Sequence, residues 1–172
     1  TADRLGVPRD VALRALAEFQ GTRRRFEVVG EVGGVTIIDD YGHHPTEIRA
    51  TLAAVKERYP GRRILCAFHP HTFTRTIALK NEFATAFRGA EQTYVMDIYG
   101  SAREQHGGIT AEGLAHMIAQ HNPAVPSGSV TTTVATLVRD ARSGDVILCI
   151  GAGSNDEVAR GTFAALRERS AT

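Results

Sequence analysis

With 172 residues, 42% of them apolar and 23% charged, the chain is long enough to close one hydrophobic core and has the make-up of an ordinary globular domain. Those proportions exclude a disordered tail, a collagen-like fibre and a membrane span; the apolar run at 146–150 is far below bilayer length. Twenty Lys and Arg against nineteen Asp and Glu leave a net charge of +1, so no global field draws the chain to nucleic acid or an anionic membrane.

In chain order, Pro8 and Asp10 open a short helix over 11–19, with Gly21 as its stop. Arg23, Arg24 and Arg25 lead into a β-hairpin made of residues 26–32, a Gly33-Gly34 turn and residues 35–40. Pro45 suits the first turn of a helix running through Ile48, Leu52 and Val55 to Tyr59. Pro60-Gly61 breaks it, and 63–68 is a continuous apolar strand. A helix over 76–87, a strand over 93–98 and a helix over 110–120 follow. A loop rich in Pro, Ser and Gly at 122–129 and a short strand at Val130 precede a helix over 133–141. The last units are a strand over 145–150, a loop over 151–155, and a helix ending near Arg169.

Strands alternating with helices imply an α/β fold: a Rossmann-like, doubly wound, mostly parallel sheet with helices on both faces and an antiparallel hairpin at its start. Residues 1–20 are expected to be a linker and helix from a preceding domain, and 21–172 the domain itself. The chain opens on Thr1 and reads as an excised domain. Cys66 and Cys149 each lie inside an apolar run, as buried, reduced thiols of a cytoplasmic protein would. No signal or transit segment is read at the start.

Ligands of open parallel sheets bind outside the carboxyl ends of the strands, which ranks three junctions first. These are Asp39-Asp40-Tyr41-Gly42-His43-His44, then His69-Pro70-His71-Thr72-Phe73-Thr74-Arg75, then Gly151-Ala152-Gly153-Ser154-Asn155. If their strands are neighbours, all three face one crevice. The last is either an anion loop built on Gly151, Gly153 and Ser154 at a helix start, or a tight turn whose glycines supply close packing; the two readings carry equal weight. Asp156 stands where a dinucleotide fingerprint needs a third glycine. His43, His44, His69 and His71 could converge, but spacing alone does not make a zinc site, and no metal is assigned. A neutral histidine donating to a phosphate or carboxylate is better supported, because Arg75 lies four residues past His71. Asp40 suits a ribose hydroxyl or an ammonium, or else caps the next helix. No P-loop, nucleophile elbow, Cys-x-x-Cys or zinc-protease helix is present in the sequence. Any ATP chemistry therefore needs another domain.

The ordered set DDYGHHPTEI, FHPHTFTRT, DIYGSARE and GAGSNDEVARG resembles the C-terminal domain of the Mur ligases, over about residues 15–165. The resemblance implies a three-domain, ATP-dependent amide-forming enzyme of peptidoglycan synthesis. An N-terminal domain holds UDP-N-acetylmuramate, a central P-loop domain binds ATP and Mg2+, and this domain closes over both. It implies the member that joins L-alanine to the sugar nucleotide through an acyl phosphate. The recycling ligase that adds a tripeptide and a stand-alone nucleotide-binding module are the alternatives. Carried over by position, Asp40 lies near the nucleotide's ribose, Tyr41 and His43 lie beside the amino acid, and Arg75 holds its carboxylate. Thr72, also placed beside the amino acid, stands where many relatives have arginine, and offers one hydrogen bond in place of a second guanidinium contact. No function is attached to His69. The isolated domain is expected to be inactive.

Overall fold

The structure, a computed structural model, describes residues 2–19, 21–100 and 107–171. The second half of the DIYGSARE motif, residues 101–104, lies outside the described residues. Six strands, β1 (Glu27–Val32), β2 (Val35–Asp40), β3 (Ile64–His69), β4 (Gln92–Met96), β5 (Ala124–Gly128) and β6 (Val146–Gly151), form one sheet in the order β1-β2-β6-β3-β4-β5. β1 runs antiparallel to β2, and every other neighbouring pair is parallel. Gly33 and Gly34, at φ 58° and 77°, close the hairpin in the left-handed conformation that such a two-residue turn needs.

Among the described residues the α-helices are α1 (Arg9–Glu18), α2 (Pro45–Arg58), α3 (Phe73–Ala78), α4 (Lys80–Ala84), α5 (Ala111–Ala119), α6 (Val130–Asp140) and α7 (Asn155–Ala171); α2 to α6 connect strands, α1 precedes β1 and α7 follows β6. Side chains alternate across each strand, so each face buries its own core. On one face Ile38, Cys66, Phe68 and Leu148 meet Leu52 of α2, Phe83 of α4 and Leu114 of α5. On the other, Ile37, Leu65, Ile147 and Cys149 meet Leu137 of α6 and Val158 and Leu166 of α7. Covering both faces is why β2, β3 and β6 are buried at every position; β3 and β6 read as nearly unbroken apolar runs, whereas β2 also buries Thr36, Asp39 and Asp40. Cys66 and Cys149 are free, buried thiols on opposite faces. The expected doubly wound fold with its leading hairpin is the observed one.

Several boundaries differ from expectation. The helix expected over 76–87 starts at Phe73 and breaks at Leu79 into α3 and α4; three β-branched residues, Thr74, Thr76 and Ile77, crowd its first part. The loop expected at 122–129 contains the edge strand β5, disguised by Pro126, which an edge strand tolerates. Val130 is the first residue of α6 and not a strand, because the Ser129 side chain accepts from the Thr132 N–H and caps the helix there. β4 ends at Met96, two residues before the expected Ile98. α1 has no buried residue, and Leu13, Leu16 and Phe19 along it are exposed.

Candidate functional site

The strand order sets β6 between β2 and β3, so the three singled-out junctions emerge side by side. Asp40 pairs with Ile150, and His69 with Gly151, at the strand ends. Asp40 is 7% exposed. Its Oδ1 accepts from the Gly42 N–H at 2.7 Å and its Oδ2 from the Phe26 N–H at 2.8 Å. Each oxygen keeps a lone pair for a ligand hydroxyl. Asp40 does not cap α2. His44 does, with Nδ1 accepting from the Thr46 N–H, while Glu47 accepts from the N–H groups of His43 and His44. Burial pushes Glu47 up, but those two donors prevail and its pKa is lowered.

Tyr41 lies with its ring under the guanidinium groups of Arg24 and Arg25, at 4.9 and 5.5 Å from the ring centre. His43 stands edge-on to it, with centroids 5.5 Å apart. His43 Nδ1 is 3.0 Å from the Tyr41 carbonyl. A carbonyl only accepts, so Nδ1 carries the proton and a neutral His43 presents Nε2 as an acceptor, suited to a substrate amine. On the β3 side, Thr72 is the N-cap of α3, and its side chain makes no capping hydrogen bond. Arg75 Nη1 donates to the His71 carbonyl at 2.7 Å, and its guanidinium has no ion pair among the described residues. A guanidinium so tethered presents its other N–H groups to an oxyanion. His71 stacks on Tyr99 with centroids 4.9 Å apart.

The 151–155 loop has the geometry of the tight turn. A Cβ on Gly151 would lie 2.5 Å from the His69 carbonyl oxygen, and one on Gly153 would lie 2.3 Å from His69 Nδ1. The Ser154 N–H is given to His69 Nδ1 at 3.0 Å. The carbonyls of Gly151 and Gly153 accept from Arg24 Nη2 at 3.3 and 2.9 Å. Burial and then the neighbouring His71 lower the His69 pKa, keeping it the neutral acceptor this bond requires. His43, His44 and His69 are thus each bonded to backbone, and no group of three His, Cys, Asp or Glu could hold a metal ion among the described residues.

Three residues that the sequence named without a role shape the crevice: His69, Arg24 and Asp39. Asp39 is 0% exposed and lies beneath Arg24, whose Nε is 3.3 Å from Asp39 Oδ2. Burial pushes its carboxyl up to about 6 against the pull of Arg24, with Asp156 and Glu27 adding to the rise. The run of three arginines before the hairpin was the available signal for Arg24. The register that buries Asp39 was not visible without the sheet order.

A family model for the Mur ligase glutamate ligase domain matches residues 24–153. The chain belongs to the Mur ligases. It is 46% identical, over 98% of its length, to a UDP-N-acetylmuramate–L-alanine ligase from Sorangium cellulosum, and 43% identical over 96% to one from a Roseiflexus species. It spans 37% and 35% of those two proteins, about a third of their length. The crystal structure of UDP-N-acetylmuramate–alanine ligase from Thermotoga maritima superposes over 99% of this chain and 36% of its own, with TM-score 0.77 and 25% identity. This Mur ligase domain has no helix long and apolar enough to cross a membrane among its described residues.

Proposed function

We propose that this Mur ligase domain is the amino-acid-binding, domain-closing part of a cytoplasmic ligase that joins L-alanine to UDP-N-acetylmuramate. The observation that carries the reading is the convergence, at the carboxyl ends of adjacent β2, β6 and β3, of Asp40, Tyr41 and His43 with Thr72 and Arg75. The relatives' names give the substrates. In the reaction the lactyl carboxylate of UDP-N-acetylmuramate takes the γ-phosphoryl group of ATP, releasing ADP. The alanine amine attacks the resulting acyl phosphate, and the tetrahedral intermediate expels phosphate to leave the amide. Arg75 forks the alanine carboxylate, with Thr72 offering one hydroxyl donor. His43 Nε2 accepts from the amine and aims it, which is a gain by proximity. Asp40 accepts from the ATP ribose.

Mg2+, when bound, would neutralise charge on the phosphates; among the described residues no group of three His, Cys, Asp or Glu is placed to hold it. Residues 1–20, with the exposed apolar side chains of α1, are read as the linker and helix of a preceding domain, and 21–172 as the C-terminal domain. That preceding, central domain would bind most of ATP, and an N-terminal domain the UDP sugar. The test is phosphate release by the full-length protein with UDP-N-acetylmuramate, ATP and Mg2+, offering L-alanine, glycine, L-serine or the tripeptide singly. Release with L-alanine and not with the tripeptide is expected, and none from these 172 residues alone. Release with the tripeptide alone would move the chain to the recycling ligase, and turnover by the chain alone would overturn the division into domains.

A further inference from the structure

Arg24 lies outside the set of residues assigned to substrates above, yet it reaches more of the crevice than any of them. Its backbone adopts φ 59°, a left-handed conformation that a non-glycine residue keeps only when its surroundings hold it there. Its N–H donates to Glu27 at 2.8 Å, and its carbonyl accepts from the Tyr41 N–H at 2.8 Å. Its guanidinium covers the Tyr41 ring, bonds the Gly151 and Gly153 carbonyls, and meets Asp39. One side chain therefore fixes an amino-acid-binding residue and the loop that continues, through Ser154, to His69 on β3.

Asp39 makes sense only in relation to that side chain. It is fully buried, its Oδ1 has no partner among the described residues, and an apolar residue there would avoid the cost of a buried charge. What the carboxylate supplies is direction: it sits under the Arg24 Nε and turns the fork toward the loop carbonyls.

We propose that Arg24, oriented by the buried carboxylate of Asp39, is a positioning residue for the amino-acid substrate, acting by holding Tyr41 and the 151–155 loop in their binding geometry. This rests on the functional reading above. The groups facing Asp39 are Arg24 from the segment before β1, Glu27 from β1, Asp156 from α7 and the Cys149 thiol from β6, which burial keeps neutral. Of these, only Arg24 is cationic. With Asp39 titrating at about 6, the orientation is complete at neutral pH and weakens below it.

In the full-length ligase, Arg24→Lys keeps the charge and loses the fork. It is expected to raise the KM for L-alanine about tenfold, with kcat and the KM for ATP within about twofold. The wild-type KM for L-alanine should rise as pH falls through about 6, and Asp39→Asn should remove that limb. An unchanged alanine KM in Arg24→Lys, or a rise shared equally with the ATP KM and a fall in kcat, overturns the proposal. So does an acid limb as steep in Asp39→Asn as in the wild type. A wild-type enzyme that releases no phosphate with L-alanine sinks the functional reading instead. Arg24 is then judged on this chain by the Ser154 amide in nitrogen-15 NMR: a shifted, faster-exchanging resonance in Arg24→Lys is expected, and an unmoved one overturns the positioning role.

Discussion

Where the parallel strands begin, Arg62 donates to the carbonyls of Gly34, Gly144 and Asp145 at 3.0, 2.7 and 2.6 Å, and Arg63 grips both oxygens of Asp145 at 2.9 and 2.6 Å. Where they end, Asp39 lies buried with Oδ1 unpartnered, and neither polar side-chain atom of the buried Asn155 has a partner among the described residues. The same contrast appears in the acids. Burial would raise Asp145, but Arg63 and the Arg142 N–H hold it below the usual carboxylate range, whereas burial wins at Asp39. Backbone strain follows the division too, since Arg24 and Phe26, at φ 59° and 49°, both lie at the ligand end. Each buried polar atom without a partner costs about 1–3 kcal/mol. One end of this sheet is built for stability, and the other accepts local penalties to present groups to a ligand.

The largest effect that would test this contrast is at the satisfied end. Arg63→Ala leaves the Asp145 carboxylate, whose side chain is 5% exposed, without its cation and with only the Arg142 N–H among its described side-chain partners, and should cost about 3 kcal/mol in urea unfolding. A loss below about 1 kcal/mol would make that ion pair ornamental and erase the contrast. Next comes Gly151→Ala, at φ 142° with the His69 carbonyl 2.5 Å from the new Cβ. It should cost about 2 kcal/mol and abolish the Ser154 N–H bond to His69 as read by amide exchange. Retention of that bond would show that the loop can yield, and that its glycines do not hold His69 in place.

How much of this was legible in the sequence depends on whether the deciding interaction is local. The apolar runs at β3 and β6 declare a sheet covered on both faces because burial on two sides suppresses alternation. The three loops could be ranked from the rule about strand ends, and the strand order made them neighbours. What stayed hidden were pairings across long separations. Arg24 reaches Gly153, 129 residues away, and His69 takes the Ser154 N–H from 85 residues away. Neither contact leaves a periodic trace. β5 was hidden for a different reason: Pro126 and Gly128 carry the composition of a loop, and only the sheet edge makes them a strand.

The smallest effect is the sharpest, because its sign is opposite. Asp39 titrates at about 6 in the folded chain against an ordinary 3.8, so the folded state binds this proton more tightly than the unfolded one. The stabilisation it brings is complete below about pH 4 and is lost as pH rises through about 6. At pH 8 the buried carboxylate is a burden that its attraction to Arg24 does not offset. An asparagine in its place would have nearly the same shape and no charge. Asp39→Asn should therefore stabilise this chain by about 1 kcal/mol at pH 8, part of the relief being cancelled because Arg24 loses the nearer of its two carboxylates and keeps only Asp156 at 3.9 Å. At pH 5, with the wild-type group mostly protonated, the two unfolding midpoints should draw together. A destabilised Asp39→Asn at pH 8 would mean that the Arg24 pair outweighs the burial, and the ligand end would then be as well satisfied as the other. A gain that persists unchanged at pH 5 would place the penalty in something other than charge. If the gain appears only at high pH, and alanine binding loses its acid limb in the same variant, then the charge that weakens the fold is the one that orients Arg24.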